Sequence, residues 1–247
     1  MRTISWADAE LVKAYANIRH PIVTYTWATA PAATGNAGMV IPITGVSSKN
    51  YDLFYSNGTR WYPVSGFVDL ALWRTKITVA AANSNKTTPN AVSVLKITIP
   101  YSATNGSLIG NGDTVEMKLT HERSAAGSGT VSRGIYLGTD GSAPLNNVKI
   151  DERNNTSTTN IYVTEEPAFH RVNSTTVNFV GRKSLDQWSG NTATDVGDDG
   201  DTVTAIPSFD ANTLYLDVVL QHASSVAESL IFDYGLIRLW STGPVTG

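Results

Sequence analysis

The residues able to do chemistry in this 247-residue chain are few and scattered. Its four histidines, His20, His121, His170 and His222, fall in no HxH, HExxH or HxxxH spacing, so they read as polar strand positions rather than a metal site. The sequence contains no GxSxG elbow, no GxxxxGK[ST] loop and no GxGxxG opening a helix. Ser128, in the run GSGTVS, lies in a Gly/Ser loop with no strand-to-helix context. Those absences remove the nucleophile-elbow and phosphate-cradling readings. With no cysteine there is no thiol nucleophile, no thiolate metal site and no disulfide framework.

Carboxylates are the remaining catalytic candidates. Asp151-Glu152 and Glu165-Glu166 are adjacent pairs, and a glycosidase needs two carboxyl groups about 5–9.5 Å apart across a cleft. Neighbouring strand residues point to opposite faces, so neither pair supplies that geometry by itself. A pairing between distant carboxylates is left open. The run TDVGDDGDT places Asp195, Asp198, Asp199 and Asp201 together. Calcium takes oxygen ligands of this kind, but the order is not that of an EF-hand and its closing Glu is missing, so a solvated acidic loop is the plainer reading and no cofactor is implied. Just before it, Trp188 stands near Asn191 and Asp195. A flat indole can stack on a pyranose while amide and carboxylate groups bond its hydroxyls; the alternative is a loop anchor over the rim of the fold.

The elements that must position these residues are legible from period and turn chemistry. SWADAELVKAYANI, residues 5 to 18, predicts a helix: Ser5 caps it, Asp8 stands in the capping-box position, and Ile4, Leu11 and Ile18 recur every seventh residue with Tyr15 on the same flank. It packs on its own domain or forms a short seam between copies. Residues 21–39 read as a short extended piece and then a Pro/Ala/Gly-rich linker or loop. VIPITG at 40–45 and YDLFYSNGTRWYPVSG at 51–66 then predict a small β unit, with Asn57-Gly58 as a two-residue hairpin turn. From Phe67 alternation dominates, over 67–81, 91–100, 113–122, 132–139, 147–152, 160–166, 175–182, 213–222 and 228–241. Leu214, Leu216, Val218 and Leu220 should face one way, and Tyr215, Asp217, Val219 and Gln221 the other. Eight or nine strands with such turns predict an all-β, antiparallel two-sheet sandwich of the jelly-roll kind over residues 67–247.

Composition narrows the partners. The formal net charge is −3, so no global positive field recruits nucleic acid or an anionic membrane. Charged residues make up 16% of the chain, against about 25% in an ordinary globular domain, and hydroxyl and amide side chains replace them. No stretch approaches the roughly 20 apolar residues of a membrane span, and the first residues lack the apolar core of a secretory signal, so the chain is expected to be made and folded in a cytoplasm.

The run YDLFYSNGTRWYPVSG resembles a short element of bacteriophage tail-fibre and head-fibre proteins. There an aromatic strand, an Asn/Asp-Gly turn, a Thr-Arg/Lys-Trp-x-Pro strand and a glycine precede a terminal domain. The following Ile99, Pro100, Leu108, Gly110 and Gly112, the strand Val115 to Leu119, and GIYLGTDG from Gly134 to Gly141 resemble the β-sandwich of the same proteins. The resemblance runs from Val40 to the end. It implies a virion structural protein without catalysis, a homotrimer that contacts other virion proteins and binds a host surface glycan or protein. Trp188, Asn191 and Asp195 are then the receptor-binding candidates. Ile4, Leu11, Tyr15, Ile18, Phe54, Tyr55, Trp61 and Tyr62 are the assembly candidates, the hairpin either docking onto a neighbouring domain or subunit or plugging the base of its own sandwich. The rival readings are an architectural capsid-decoration or collar protein and a glycan depolymerase.

Overall fold

The computed structural model describes residues 23–79, 90–123, 131–155, 161–184, 195–196, 202–222 and 230–241. A small four-stranded sheet comes first. Its strands are β1 (Tyr25–Thr26), β2 (Val40–Thr44), β3 (Asp52–Ser56) and β4 (Trp61–Pro63), hydrogen-bonded in that order. Strand β1 runs parallel to β2, while β2, β3 and β4 are antiparallel neighbours. The hairpin forms where the sequence placed it, but its turn is longer than two residues. Ser56 pairs with Trp61, leaving Asn57 to Arg60 as the loop, because Asn57 Oδ1 accepts from the backbone N–H groups of Thr59 and Arg60, both at 2.9 Å. Gly58 meets the turn's demand for positive φ, at 93°.

Residues 23–39, whose composition suggested a linker, are built into this unit. Trp27, Ala30 and Ala33 are buried with Ile41, Ile43, Phe54 and Trp61. Trp27 meets Phe54 edge to face at 5.9 Å between ring centroids, and the indole N–H of Trp61 donates to the Pro31 carbonyl at 2.9 Å. A loop with apolar anchors and bonded backbone groups packs as well as a strand does.

The rest of the described chain is two larger sheets. Strands β5 (Phe67–Trp73), β6 (Ile77–Val79), β7 (Asn90–Ile99), β8 (Tyr101–Ser102), β9 (Gly106–Ser107), β10 (Thr114–Arg123), β11 (Val131–Gly138), β12 (Val148–Asn155), β13 (Ile161–Arg171), β14 (Val177–Ser184), β15 (Asp195–Val196), β16 (Thr202–Val203), β17 (Leu214–His222) and β18 (Leu230–Trp240) follow in turn. The run 67–81, expected as one strand, is broken between β5 and β6. One sheet has the order β16-β14-β13-β10-β18-β5, with β6 also on β18; the other is β15-β12-β11-β17-β7. All pairings in both are antiparallel. A short hairpin, β8-β9, lies apart.

Inward residues of the two sheets form one core. Val115, Leu119, Phe169, Phe179 and Ile237 come from the first sheet, and Ile97, Ile135, Leu216 and Val218 from the second. The alternation read in β17 holds for Leu214, Leu216, Val218 and Leu220, all buried, but Asp217 and Val219 on the other face are also 0% exposed. The molecule therefore has two ends. At one, β5, β10 and β18 reach the small unit through Phe67, Thr114 and Trp240. At the other, Arg123, Val131, Asn155, Ile161, His222 and Leu230 stand in register, so the connections 124–130, 156–160 and 223–229 all leave from there. The expected helix at 5–18 lies outside the described residues.

Candidate functional site

Arg60 joins the small unit to the sandwich. Following the Asn57 turn, it donates from Nη2 to the Leu108 carbonyl at 2.7 Å and to Asp113 Oδ2. Asp113 is completely buried and also accepts from the Gly110 N–H at 2.7 Å and the Ser241 hydroxyl at 3.2 Å. The guanidinium lies so close over Gly110 that a Cβ there would sit 1.9 Å from Arg60 Nη1. Thus the Thr-Arg-Trp-x-Pro strand and the Leu108-x-Gly110-x-Gly112 stretch are the two halves of one joint. Beside it the Trp27 indole donates to the Gly106 carbonyl at 2.9 Å, and Asn105 donates to the Ala30 carbonyl at 3.0 Å. Arg171, only 3% exposed, ties the same corner to the Ile109 carbonyl at 2.5 Å and to Asp210 at 2.6 Å.

The aromatic hairpin divides its rings between two faces. Phe54 and Trp61 are 0% and 1% exposed, so their area is covered within the chain. The physical reason is strand alternation: in β3 and β4 they fall on the inward face, under Trp27 and Ile41. Tyr55 and Tyr62, one residue away, point out and stack on each other at 5.6 Å, with the Arg60 guanidinium 5.2 Å from the Tyr62 ring.

Two carboxylates do converge across the sandwich. Asp151 and Glu165, one from each adjacent pair, face inward, while Glu152 and Glu166 face out to Lys149 at 2.5 Å and Lys118 at 3.2 Å. A bulge opposite Ile135 and Tyr136 leaves Ile150 unpaired and turns both Ile150 and Asp151 into the core. Between the two acids lies Arg133, on β11. It donates from Nε and Nη2 to Glu165 at 2.5 and 2.6 Å, and from Nη1 to Asp151. All three are at most 1% exposed. Burial opposes the guanidinium charge, and Glu165 and then Asp151 more than offset it, holding Arg133 above its ordinary range. His121 Nδ1 lies 3.9 Å from Glu165. A fork-on-carboxylate pair of this kind binds sheet to sheet.

On the outward face of the second sheet, Asp217 stands in register with Lys96 and Tyr136. Its Oδ1 accepts from the Ser93 hydroxyl at 2.8 Å, with Lys96 Nζ 3.9 Å away, and its Oδ2 has no hydrogen-bond partner among the described residues. Burial pushes this carboxyl up, against the Ser93 bond and the Lys96 charge. In the GIYLGTDG stretch, Asp140 organises the following loop by accepting from the N–H groups of Ser142 and Ala143, both at 2.8 Å. Those bonds and one from Asn146 hold its carboxyl well below the usual range.

Trp188, Asn191, Asp198, Asp199 and Asp201 lie outside the described residues, as do Ile4, Leu11, Tyr15 and Ile18. Asp195 is described only as backbone, pairing with Arg153 at the edge of the second sheet. The joint and the Arg133 pair were missed by sequence reasoning. Their only signals were an arginine in the hairpin and a charge at an inward strand position.

No protein-family profile matches the chain, and no curated protein does. A solved structure described as the CBM2 module of the evolved Dit of Lactobacillus casei BL23 phage J-1 is similar over 59% of this chain and 67% of that one, at 10% identity and a TM-score of 0.31. Among the described residues no helix is long and apolar enough to cross a membrane.

Proposed function

We propose that this chain is a non-catalytic structural protein of a bacteriophage virion, a tail fibre, spike or head fibre that mounts through its first 66 residues and displays a sandwich to a host surface glycan. The observation carrying this reading is the Arg60–Asp113 joint, because it links the two motifs that resemble phage fibres and fixes the small unit rigidly against one end of the sandwich. Strand connections gather at the opposite end, where binding loops on a rigid scaffold are customary. Trp188, Asn191 and Asp195 are the proposed receptor contacts, and the oligomer is a trimer.

The jelly-roll reading is supported by the strand order. Sheet orders β5-β18-β10-β13 and β7-β17-β11-β12 make the chain cross between sheets at β5 to β7, β7 to β10, β10 to β11, β12 to β13, β13 to β17 and β17 to β18. The non-catalytic reading rests on the burial and pairing of Asp151 and Glu165.

The test uses the full chain. Mass spectrometry of purified particles should find it, and the fluorescently labelled chain should stain host cells and bind their envelope polysaccharide. Absence from the particle would overturn the virion reading. Presence without staining would overturn the receptor part alone and favour a decoration or collar protein, whereas release of reducing sugar from the polysaccharide would overturn the non-catalytic part.

A further inference from the structure

The small sheet is apolar on both sides. Ile41, Phe54 and Trp61 fill its inner face at 2%, 0% and 1% exposure. On the outer face Val40 stands in register with Tyr55 and Tyr62, and Pro42 with Leu53, while Val64 bonds the Leu53 carbonyl at 2.9 Å. Val40, Leu53 and Val64 are 53%, 45% and 53% exposed. A sheet with one solvated face alternates apolar and polar residues; apolar residues on both faces belong to a sheet covered on both. Contiguous apolar surface of this kind marks a contact site.

The chain itself supplies a cover. Strand β1 runs parallel to β2 with Tyr25 beside Ile43, so the chain enters the sheet through β1, at the edge of this face beside β2. The segment ahead of it carries Ile4, Leu11, Tyr15 and Ile18 at helical spacing, an apolar stripe on a helix too short to stand alone. Fourteen helical residues span about 21 Å, against about 10 Å across three strands, of which β2 and β3 are about 17 Å long and β4 about 10 Å, so the stripe can cross the sheet diagonally. Only residues 19–24 separate stripe from sheet, and a tether that short gives a local concentration on the order of millimolar.

We propose that residues 5–18 pack as a helix over the outer face of the small sheet within the same chain, laying Ile4, Leu11, Tyr15 and Ile18 on Val40, Leu53, Tyr55, Tyr62 and Val64. The mount is then a helix-covered sheet, and what it presents to a neighbour is the polar side of that helix, with Glu10, Lys13 and Asn17, rather than bare apolar rings. This holds whether or not the chain belongs to a particle.

The absence of cysteine makes the test clean. Full-length chains carrying Leu11→Cys with Tyr55→Cys, or Leu11→Cys with Tyr62→Cys, are treated with a short thiol-to-thiol crosslinker; Leu11→Cys with Tyr162→Cys, exposed on the far end of β13, is the control. The expected product is an intramolecular crosslink, independent of protein concentration and at least about tenfold more abundant than in the control. The triple variant Ile4→Ser, Leu11→Ser, Ile18→Ser should bind a hydrophobic dye several times more strongly than the parent. Crosslinks formed only between chains would overturn the proposal in favour of a second copy's segment. No crosslink above the control, with unchanged dye binding, would overturn it in favour of another partner.

Discussion

Replacing Arg133 with methionine removes the guanidinium between two carboxylates that are 1% and 0% exposed. Methionine keeps much of the side-chain volume, so the penalty is electrostatic: Asp151 and Glu165 lose the donors at Nε, Nη1 and Nη2. Breaking a buried ion pair from one side costs about 3–5 kcal/mol, since the remaining charge stays buried and uncompensated. At about 2–4 °C per kcal/mol for a domain of this size, the midpoint of thermal unfolding should fall by roughly 6–20 °C. The triple replacement Arg133→Met, Asp151→Leu, Glu165→Leu should recover most or all of that, because a well-packed apolar trio often equals or exceeds an ion triad in stability. Calorimetry on the three chains, with urea midpoints as a second measure, decides. A loss below about 1 kcal/mol for Arg133→Met would refute the reasoning, because it would mean that water reaches the two acids. The acid pair would then be open to substrate, and hydrolysis of glycan would have to be assayed on it.

Gly110→Ala should displace the Arg60 guanidinium, since the new Cβ would fall 1.9 Å from Nη1. The expected loss is about 2–3 kcal/mol, from weakened bonds to the buried Asp113, and faster proteolysis between residues 60 and 67; unchanged stability would show that the joint is loose. Phe54→Ala should cost about 3–5 kcal/mol, more than Tyr55→Ala, whose ring stacks on Tyr62 on the outer face; equal losses on denaturant titration would contradict the division of the hairpin into an inner and an outer face. Asp217→Asn should be more stable than the parent at pH 7. With the folded carboxyl raised, the unfolded chain ionises first as pH rises, so the parent loses stability above the ordinary value of 3.8, and the advantage of the variant should shrink as pH falls below it. An advantage that ignores pH would count against burial as the cause.

Strand alternation, Gly- and Asn-rich turns and the lack of catalytic motifs made the all-β character and most strand positions legible in the sequence. Inward Leu214, Leu216, Val218 and Leu220, and outward Tyr55 and Tyr62, follow from a period of two that each strand carries in itself. Local chemistry also predicted the hairpin at Asn57, and the side chain of that same residue, by capping two further N–H groups, made the turn longer than its dipeptide suggested. Tertiary structure alone decided the rest. Whether Trp27 lies in a linker or a core depends on Phe54 coming to meet it, and whether Arg60 is a surface charge or a joint depends on Gly110 and Asp113, about fifty residues away. Asp151 and Glu165 meet on Arg133 because a bulge turns one strand and a facing sheet brings the other. Contacts between distant segments depend on how sheets pack, which no local period encodes.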